Sequence, residues 1–430
     1  MVDLFSGAGG TGIGFREAGF RIVGAVEIDR DAAKTYEKNL GVKVKLSDIR
    51  DFTPEEFRKE LNLRRGELDV LVGCPPCQGF SRMRNSDGVN DPRNDLVIRY
   101  LDFVKVFIPR FAVFENVPGL VRSKHGKKFY DELYAGLEEL GYKVAKEEKN
   151  AADYGVPQHR RRVIVVAGRA GENPPFPKPT HGNPNSPEVR DGYLLPWLNV
   201  RDAIGKSKYP YLKPGQSGER KGKYPNHIAP NTGDKVLRFI KQVPKNGGSR
   251  TDVPKEFWLE CHLKHGGHVD VYGRLAWNRP SNTITCGCVN VSKGRFVHPG
   301  QNRALTPREA ARLQGFPDEF VFVGKTICKQ VGNAVPPPLA YALARVFKKR
   351  ILTGAQHRSR YLRRAENTVR LPMRVTLLKT RRSKSSHVVE RKTIPRLRGY
   401  VSDQNALFRM HLASIRSTPL RSRRRLHSYY

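Results

Sequence analysis

Cys77 is the side chain of this sequence best placed to act as a nucleophile. It sits in Gly73-Cys74-Pro75-Pro76-Cys77-Gln78-Gly79-Phe80-Ser81, directly after the apolar run Leu68 to Val72. The run has the length and composition of a strand, and the glycines and prolines prevent it from continuing or passing at once into a helix. A thiol is thereby presented at a strand end. A C-x-x-C pair also suits a redox disulfide or half of a zinc site. Zinc, however, takes about four ligands, and no second C-x-x-C or spaced His pair occurs, so no metal is expected. A buried packing thiol is the remaining plain reading, and it fits Cys74 better than Cys77. Two acids stand at comparable places. Glu27 closes the strand Arg21 to Val26, and Glu115 opens Glu115-Asn116-Val117-Pro118 after the strand Phe111 to Phe114. Doubly wound α/β folds place their chemistry at such strand ends, although an acid there can also be simply solvated. Arg160-Arg161-Arg162, ahead of the apolar run Val163 to Ala167, reads as a phosphate-binding or solvated cationic patch.

The elements that must position these groups follow from pattern. Met1 to Phe5 is a short apolar strand. It runs into Ser6-Gly7-Ala8-Gly9-Gly10-Thr11-Gly12, and Ile13 to Ala18 reads as helix. Gly7, Gly9 and Gly12 satisfy G-x-G-x-x-G in a strand-turn-helix context, and Glu27 lies about twenty residues on, where a carboxylate accepts from ribose hydroxyls. This pattern by itself fits NAD and S-adenosylmethionine equally. Leu96 to Ile108 and Tyr130 to Leu140 read as helices and Lys143 to Lys146 as a strand, while Arg82 to Asp95 reads as a polar loop. The fold class expected is α/β, a doubly wound, mostly parallel sheet, for residues 1–170. From 171 to 322 a second, smaller and irregular domain is expected. Pro174-Pro175-Phe176-Pro177-Lys178-Pro179 opens it, and tyrosines and cations interleave around Tyr209 to Tyr224. Cys286 and Cys288 are read as small packing residues on a strand. Leu305 to Pro317 carries a helix with Thr306 as cap, Pro307 first and Gly315 at its end. Residues 323–350 return to the first domain and include a helix from Leu339 to Lys349.

Composition narrows the partners. The 430 residues carry 78 Lys and Arg against 41 acids, a net charge of +37, which favours a polyanion such as nucleic acid. Residues 351–430 hold 20 Lys or Arg against 3 acids and show no periodicity, which reads as a disordered basic tail. No apolar run of about 18 residues and no secretory signal pattern is present. Six cysteines without framework spacing suit a reducing interior. A cytoplasmic, nucleoid-associated protein with no membrane contact is expected.

Together these segments resemble the DNA (cytosine-5) methyltransferase family of bacterial and archaeal restriction-modification systems. The resemblance rests on Asp3-Leu4-Phe5-Ser6-Gly7-Ala8-Gly9-Gly10, Pro75-Pro76-Cys77-Gln78, Glu115-Asn116-Val117, Gln158-x-Arg160-x-Arg162 and Gln330-Val331-Gly332-Asn333, in order, over about residues 1–350. It implies a Rossmann-like S-adenosylmethionine-dependent methyltransferase whose irregular domain recognises the target sequence. It assigns Cys77 as the thiolate that adds to C6 of a flipped-out cytosine. Glu115 is the group at N3, kept protonated by burial; Arg162 holds O2, and Arg160 supports the thiol. For S-adenosyl-L-methionine it implies Phe5, Gly7, Gly9, Gly10, Glu27, Ile28, Asp48, Ile49, Pro76, Leu96 and Asn333. Double-stranded DNA is the implied substrate, with a cognate restriction endonuclease acting on the same site, and the chain is expected to work as a monomer. A tRNA cytosine-5 methyltransferase would share the same chemistry. A non-catalytic DNA-binding relative would lack Cys77 or Glu115, and an NAD-dependent oxidoreductase accounts for the glycine turn and Glu27 but not for the later segments.

Overall fold

The computed structural model describes residues 1–76, 95–205, 210–220, 223–264 and 268–369. Its central sheet holds β1 (Val2–Leu4), β2 (Gly24–Glu27), β3 (Val44–Leu46), β4 (Val70–Gly73), β5 (Phe111–Asn116), β6 (Tyr142–Asn150) and β7 (Arg161–Arg169). Their spatial order is β3-β2-β1-β4-β5-β7-β6. The first five strands are parallel, with Leu4 opposite Val26 and Gly73, and Gly73 opposite Phe114. β7 runs antiparallel to both β5 and β6. The mostly parallel, doubly wound architecture expected from the sequence is therefore present. The strands are apolar because both faces are covered. Val70, Val72, Phe111 and Val113 enter one core, while Leu71, Ala112 and Phe114 enter the other.

Helices α1 (Gly10–Glu17) and α2 (Arg30–Leu40) cover the first face, and α3 (Pro54–Glu60), α4 (Leu96–Phe107) and α6 (Lys124–Glu139) cover the second, with the single turn α5 (Gly119–Arg122) before α6. Their ends are set locally. Asp29 caps α2 by accepting from the Asp31 and Ala32 amides, and Thr53 with Glu56 forms a reciprocal capping box on α3. Gly73 is required by packing, since a Cβ there would lie 2.3 Å from the Tyr100 ring.

The second half is irregular, with the short parallel pair β8 (His181–Gly182) and β9 (Leu195–Pro196) and the helices α7 (Pro187–Arg190), α8 (Val200–Ile204), α9 (Asp234–Gln242) and α10 (Glu260–Lys264). Phe239, Ile240, Val243, Tyr272 and Val297 form a small core of their own. Leu275, Ile284, Phe296 and Leu305 instead join the core of the sheet's first face. Then come α11 (Pro307–Leu313), α12 (Ile327–Asn333) and α13 (Pro337–Val369). α11 starts as expected, with Thr306 and Glu309 closing a capping box and Pro307 in the first turn. Two expectations change. The stretch holding Cys286 and Cys288 is a turn, not a strand: the Cys288 amide donates to the Thr285 carbonyl, leaving Cys288 buried and Cys286 exposed. The last helix, expected to end at Lys349, continues to Val369. No helix among the described residues is long and apolar enough to cross a membrane.

Candidate active site

The parallel strands place the expected residues on one edge. Strand order reverses between β1 and β4, and the crevice beyond the carboxyl ends of such strands is where α/β sheets bind ligands. Phe5 to Gly9 leave β1 there, Glu27 ends β2, Cys74 to Pro76 leave β4, and Glu115 lies near the end of β5.

At β5, Arg162 Nε lies 3.0 Å from Glu115 Oε1, and each side chain is only 12% exposed. The antiparallel register puts Asn116 opposite Val163, so Arg162 falls just past the end of β5. Glu115 and Arg162 thus form a half-buried pair at the end of β5. Its neighbour Asn116 is buried and donates through Nδ2 to the Pro75 carbonyl at 3.3 Å. Strand β5 therefore grips the peptide that leads into the thiol. Cys77 itself, and the loop expected from Arg82 to Asp95 apart from its last residue, lie outside the described residues. Pro76 is partly exposed at the last described position before it. Burial, then the carboxylates of Glu115 and Asp3, push the Cys74 thiol well above its ordinary range, so Cys74 is a packing thiol as the sequence suggests.

Arg160 lies immediately before β7. It is buried, and its terminal nitrogens donate to the carbonyls of Ile284 at 3.1 Å and Gly332 at 3.0 Å. These two bonds tie the 281–288 segment to α12. Gln158 performs a parallel task, accepting from the Ile284 amide at 2.8 Å and donating to the Leu313 carbonyl at 3.0 Å. The sequence names Gln158 within a motif but gives it no role, because its partners are far away in the chain.

The other end of the crevice is built around Glu27. Its Oε2 accepts from the Gly7 amide at 2.7 Å, and its Oε1 accepts from Ile28 at 3.0 Å and Asp29 at 2.9 Å. Burial raises its carboxyl against the pull of these amides. Ile28 beside it is 65% exposed, an apolar side chain with no packing partner to explain it. Ile49 and Leu96 are buried in one cluster, with Phe5 packed against it. Phe5 adopts φ 57°, unusual for an aromatic residue, as β1 breaks into the turn. In the turn Gly7 is open to its surroundings, whereas a Cβ on Gly10 would strike the Val335 carbonyl at 2.2 Å. Gly9 caps α1 at φ 99°. Asp48 is held by Arg50 through two bonds, Nε to Oδ1 at 3.0 Å and Nη2 to Oδ2 at 2.6 Å, which keeps its carboxyl below the usual range. Lys329 closes on Asp29 at 2.8 Å, bringing α12 to the same rim. Asn333, the last residue of α12, is exposed, and its Oδ1 accepts from Cys286 Sγ at 2.9 Å.

An open apolar side chain beside a strand-end carboxylate and an unfilled glycine turn fits an adenosine. Among the described residues no group of three or more metal-ligating side chains gathers. Removing the Glu27 side chain should cost about 10- to 100-fold in cofactor affinity, the worth of hydrogen bonds to a charged acceptor. Equilibrium dialysis of Glu27→Ala measures it, with Glu27→Gln as the shape-preserving control.

Comparison with known proteins agrees with this layout. A solved structure described as a prophage-encoded DNA modification methyltransferase (E. coli) superposes with a TM-score of 0.59 at 23% identity, covering 82% of this chain and 99% of that one. The Type II methyltransferase M1.HphI of Haemophilus parahaemolyticus is 39% identical over 354 residues, 81% of this chain and 86% of that protein. M.AgeI of Thalassovita gelatinovora is 33% identical, with coverage of 81% and 98%. The family model for C-5 cytosine-specific DNA methylases matches residues 1–349, and this chain belongs to that family, whose members methylate carbon 5 of cytosine in DNA.

Proposed function

We propose that this enzyme methylates cytosine within one short DNA sequence, using Cys77 as nucleophile and S-adenosylmethionine as methyl donor. The observation that carries the assignment of roles is the Glu115–Arg162 pair beside Asn116, which holds the peptide leading into Cys77. Carbon 5 of cytosine is too weak a nucleophile to be methylated directly. A thiolate at position 77 adds to C6, forming the S–C6 bond and moving an electron pair through the ring towards N3. Glu115, as the acid, gives its proton to N3 where that charge collects and takes it back when the thiolate leaves, and Arg162, paired with Glu115, offers its remaining donors to O2. Carbon 5 then carries enamine electron density. Phe5, Glu27, Ile28, Asp48, Ile49, Leu96 and Asn333, with the turn at Gly7, Gly9 and Gly10 and with Pro76, would hold the cofactor, which supplies an electrophilic methyl group on sulfonium. Loss of the C5 proton to a base re-forms the double bond and expels the thiolate. Arg160 acts as a positioning residue. The base must leave the stack to reach this edge, at a cost of a few kcal/mol.

Residues 171–322 serve as the target-recognition segment and 323–350 return the chain to the cofactor site. We also propose that the protein acts as a monomer in the cytoplasm, with a cognate endonuclease sharing its site. Labelled S-adenosylmethionine offered with genomic DNA and, separately, tRNA tests the reading. The expected result is label in DNA alone, at cytosine C5 in one sequence context. Label confined to tRNA would replace the DNA assignment with the RNA one.

A further inference from the structure

Asp3 is the one carboxylate in the middle of the parallel sheet, and the chemistry above does not use it. β1 sends Val2 and Leu4 to one core and Asp3 to the opposite face, where it is fully buried. One oxygen, Oδ2, accepts from the Tyr36 hydroxyl at 3.3 Å. The other, Oδ1, has no hydrogen-bond partner among the described residues, and neither has the buried hydroxyl of Ser6 at the start of the glycine turn. Tyr36 lies directly under that turn: a Cβ on Gly9 would come within 3.1 Å of its ring and one on Gly12 within 2.7 Å of its hydroxyl. Two glycines of the fingerprint therefore also make room for the partner of Asp3. A buried carboxylate with one unpaired oxygen is costly when charged, and this one lies two residues before the turn at which the charged methyl donor is proposed to bind.

We propose that Asp3 is a proton-linked charge sensor under the cofactor turn, protonated when the turn is empty and ionised when a sulfonium sits above it. The site would thereby favour the charged methyl donor over the uncharged thioether product. The Asp3 O–H bond breaks, the carboxylate keeps the electron pair and the proton goes to water. This inference rests on S-adenosylmethionine being the cofactor. Burial pushes the Asp3 carboxyl up to about 8, with Glu27 raising it further and the Tyr36 hydroxyl and the Met1 amino group opposing. Glu27 from β2, Tyr36 from α2, the Met1 amine of its own strand and Cys74 after β4 are the titratable groups that face it. Tyr36 and Cys74 are pushed well above neutrality, and the Met1 amine falls to about 6. A cation favours the ionised acid, so affinity for S-adenosylmethionine should rise with pH up to about 8 and then level.

Calorimetry of the full chain with S-adenosylmethionine and with S-adenosylhomocysteine, in two buffers of different ionisation heat, tests this. The expected result is proton release with the sulfonium and much less with the thioether. The ratio of the two affinities should rise about sixfold between pH 6.5 and 8.5, as a one-unit displacement from about 8 gives over that window. Asp3→Asn, which preserves shape and resembles the protonated acid, should flatten that ratio, and Tyr36→Phe should move its midpoint to higher pH. Equal proton release by both ligands would assign the proton to Glu27 at the ribose and overturn the proposal. So would an unchanged pH profile in Asp3→Asn. If neither ligand binds at any pH, the cofactor reading itself fails and carries this inference down with it.

Discussion

Cys77→Ala is expected to leave no methyl transfer to DNA above background, a loss on the order of 10⁴-fold or more, because no other group can make C5 nucleophilic. Cofactor binding should survive, since no contact around Glu27 depends on the thiol. DNA carrying 5-fluorocytosine at the target provides the positive counterpart. Fluorine cannot leave as a cation, so the thiol should remain bonded to C6 and the complex should survive denaturing electrophoresis in the native enzyme alone. Glu115→Gln should lower the transfer rate by about 10²- to 10⁴-fold, the usual worth of a positioned proton donor or hydrogen-bonding acid. Arg162→Ala should fall in the same range. The pair touches at 3.0 Å, so the double variant should be little worse than either single one. Multiplying effects in a single-turnover assay would show that the two act independently and would contradict the pairing.

Glu309→Ala carries the largest expected loss of stability. Glu309 is fully buried and takes both terminal nitrogens of the equally buried Arg303, at 2.8 and 2.7 Å, while accepting the Thr306 amide at 2.9 Å. Burial alone would raise its carboxyl, but the Arg303 guanidinium overrides that, helped by His298, and brings it down to about 2. Removing the carboxylate strands the guanidinium in the core and also opens the capping box of α11. A loss of about 3–5 kcal/mol is expected, read as a lower urea midpoint at unchanged slope. The pH dependence has a definite sign. Because the folded carboxyl lies below its ordinary 4.5, its contribution is complete above that value and disappears as pH falls towards 2. The mutant should therefore lose most of its disadvantage in acid. Equal destabilisation at pH 7 and pH 2.5 would contradict the pairing.

The elements most legible in the sequence were those whose causes are local. The Thr306–Glu309 capping box with Pro307 is written in four residues, and the structure begins α11 there. The glycine turn and the strand-end acids are legible for the same reason. The direction of β7 was not, since Val163 to Ala167 is an apolar run that reads alike either way. Only the pairing with β5 and β6 reveals the reversal that carries Arg162 to Glu115. Arg160 shows the limit most clearly. Two of its partners lie 124 and 172 residues further along, beyond the reach of any local pattern. Asp3 stands in the same motif as the glycine turn, but an acid between Val2 and Leu4 shows its burial only once α2 is packed against it. Cys286 reads as a strand residue because Ile284 to Cys288 has strand-like composition, whereas the Thr285–Cys286 peptide of the turn packs against Gly332 of α12.

The two carbonyls held by Arg160 belong to different jobs. Ile284 lies in the segment proposed to follow the DNA, and Gly332 immediately precedes Asn333 at the cofactor rim. A single guanidinium rivets them, so neither can shift without straining bonds to the other. The two ligands should then bind cooperatively, and reciprocity demands that target DNA tighten the cofactor by the same factor as the cofactor tightens DNA. Arg160→Lys, with one ammonium in place of a two-pronged fork, would cut that communication while leaving each ligand its own direct contacts.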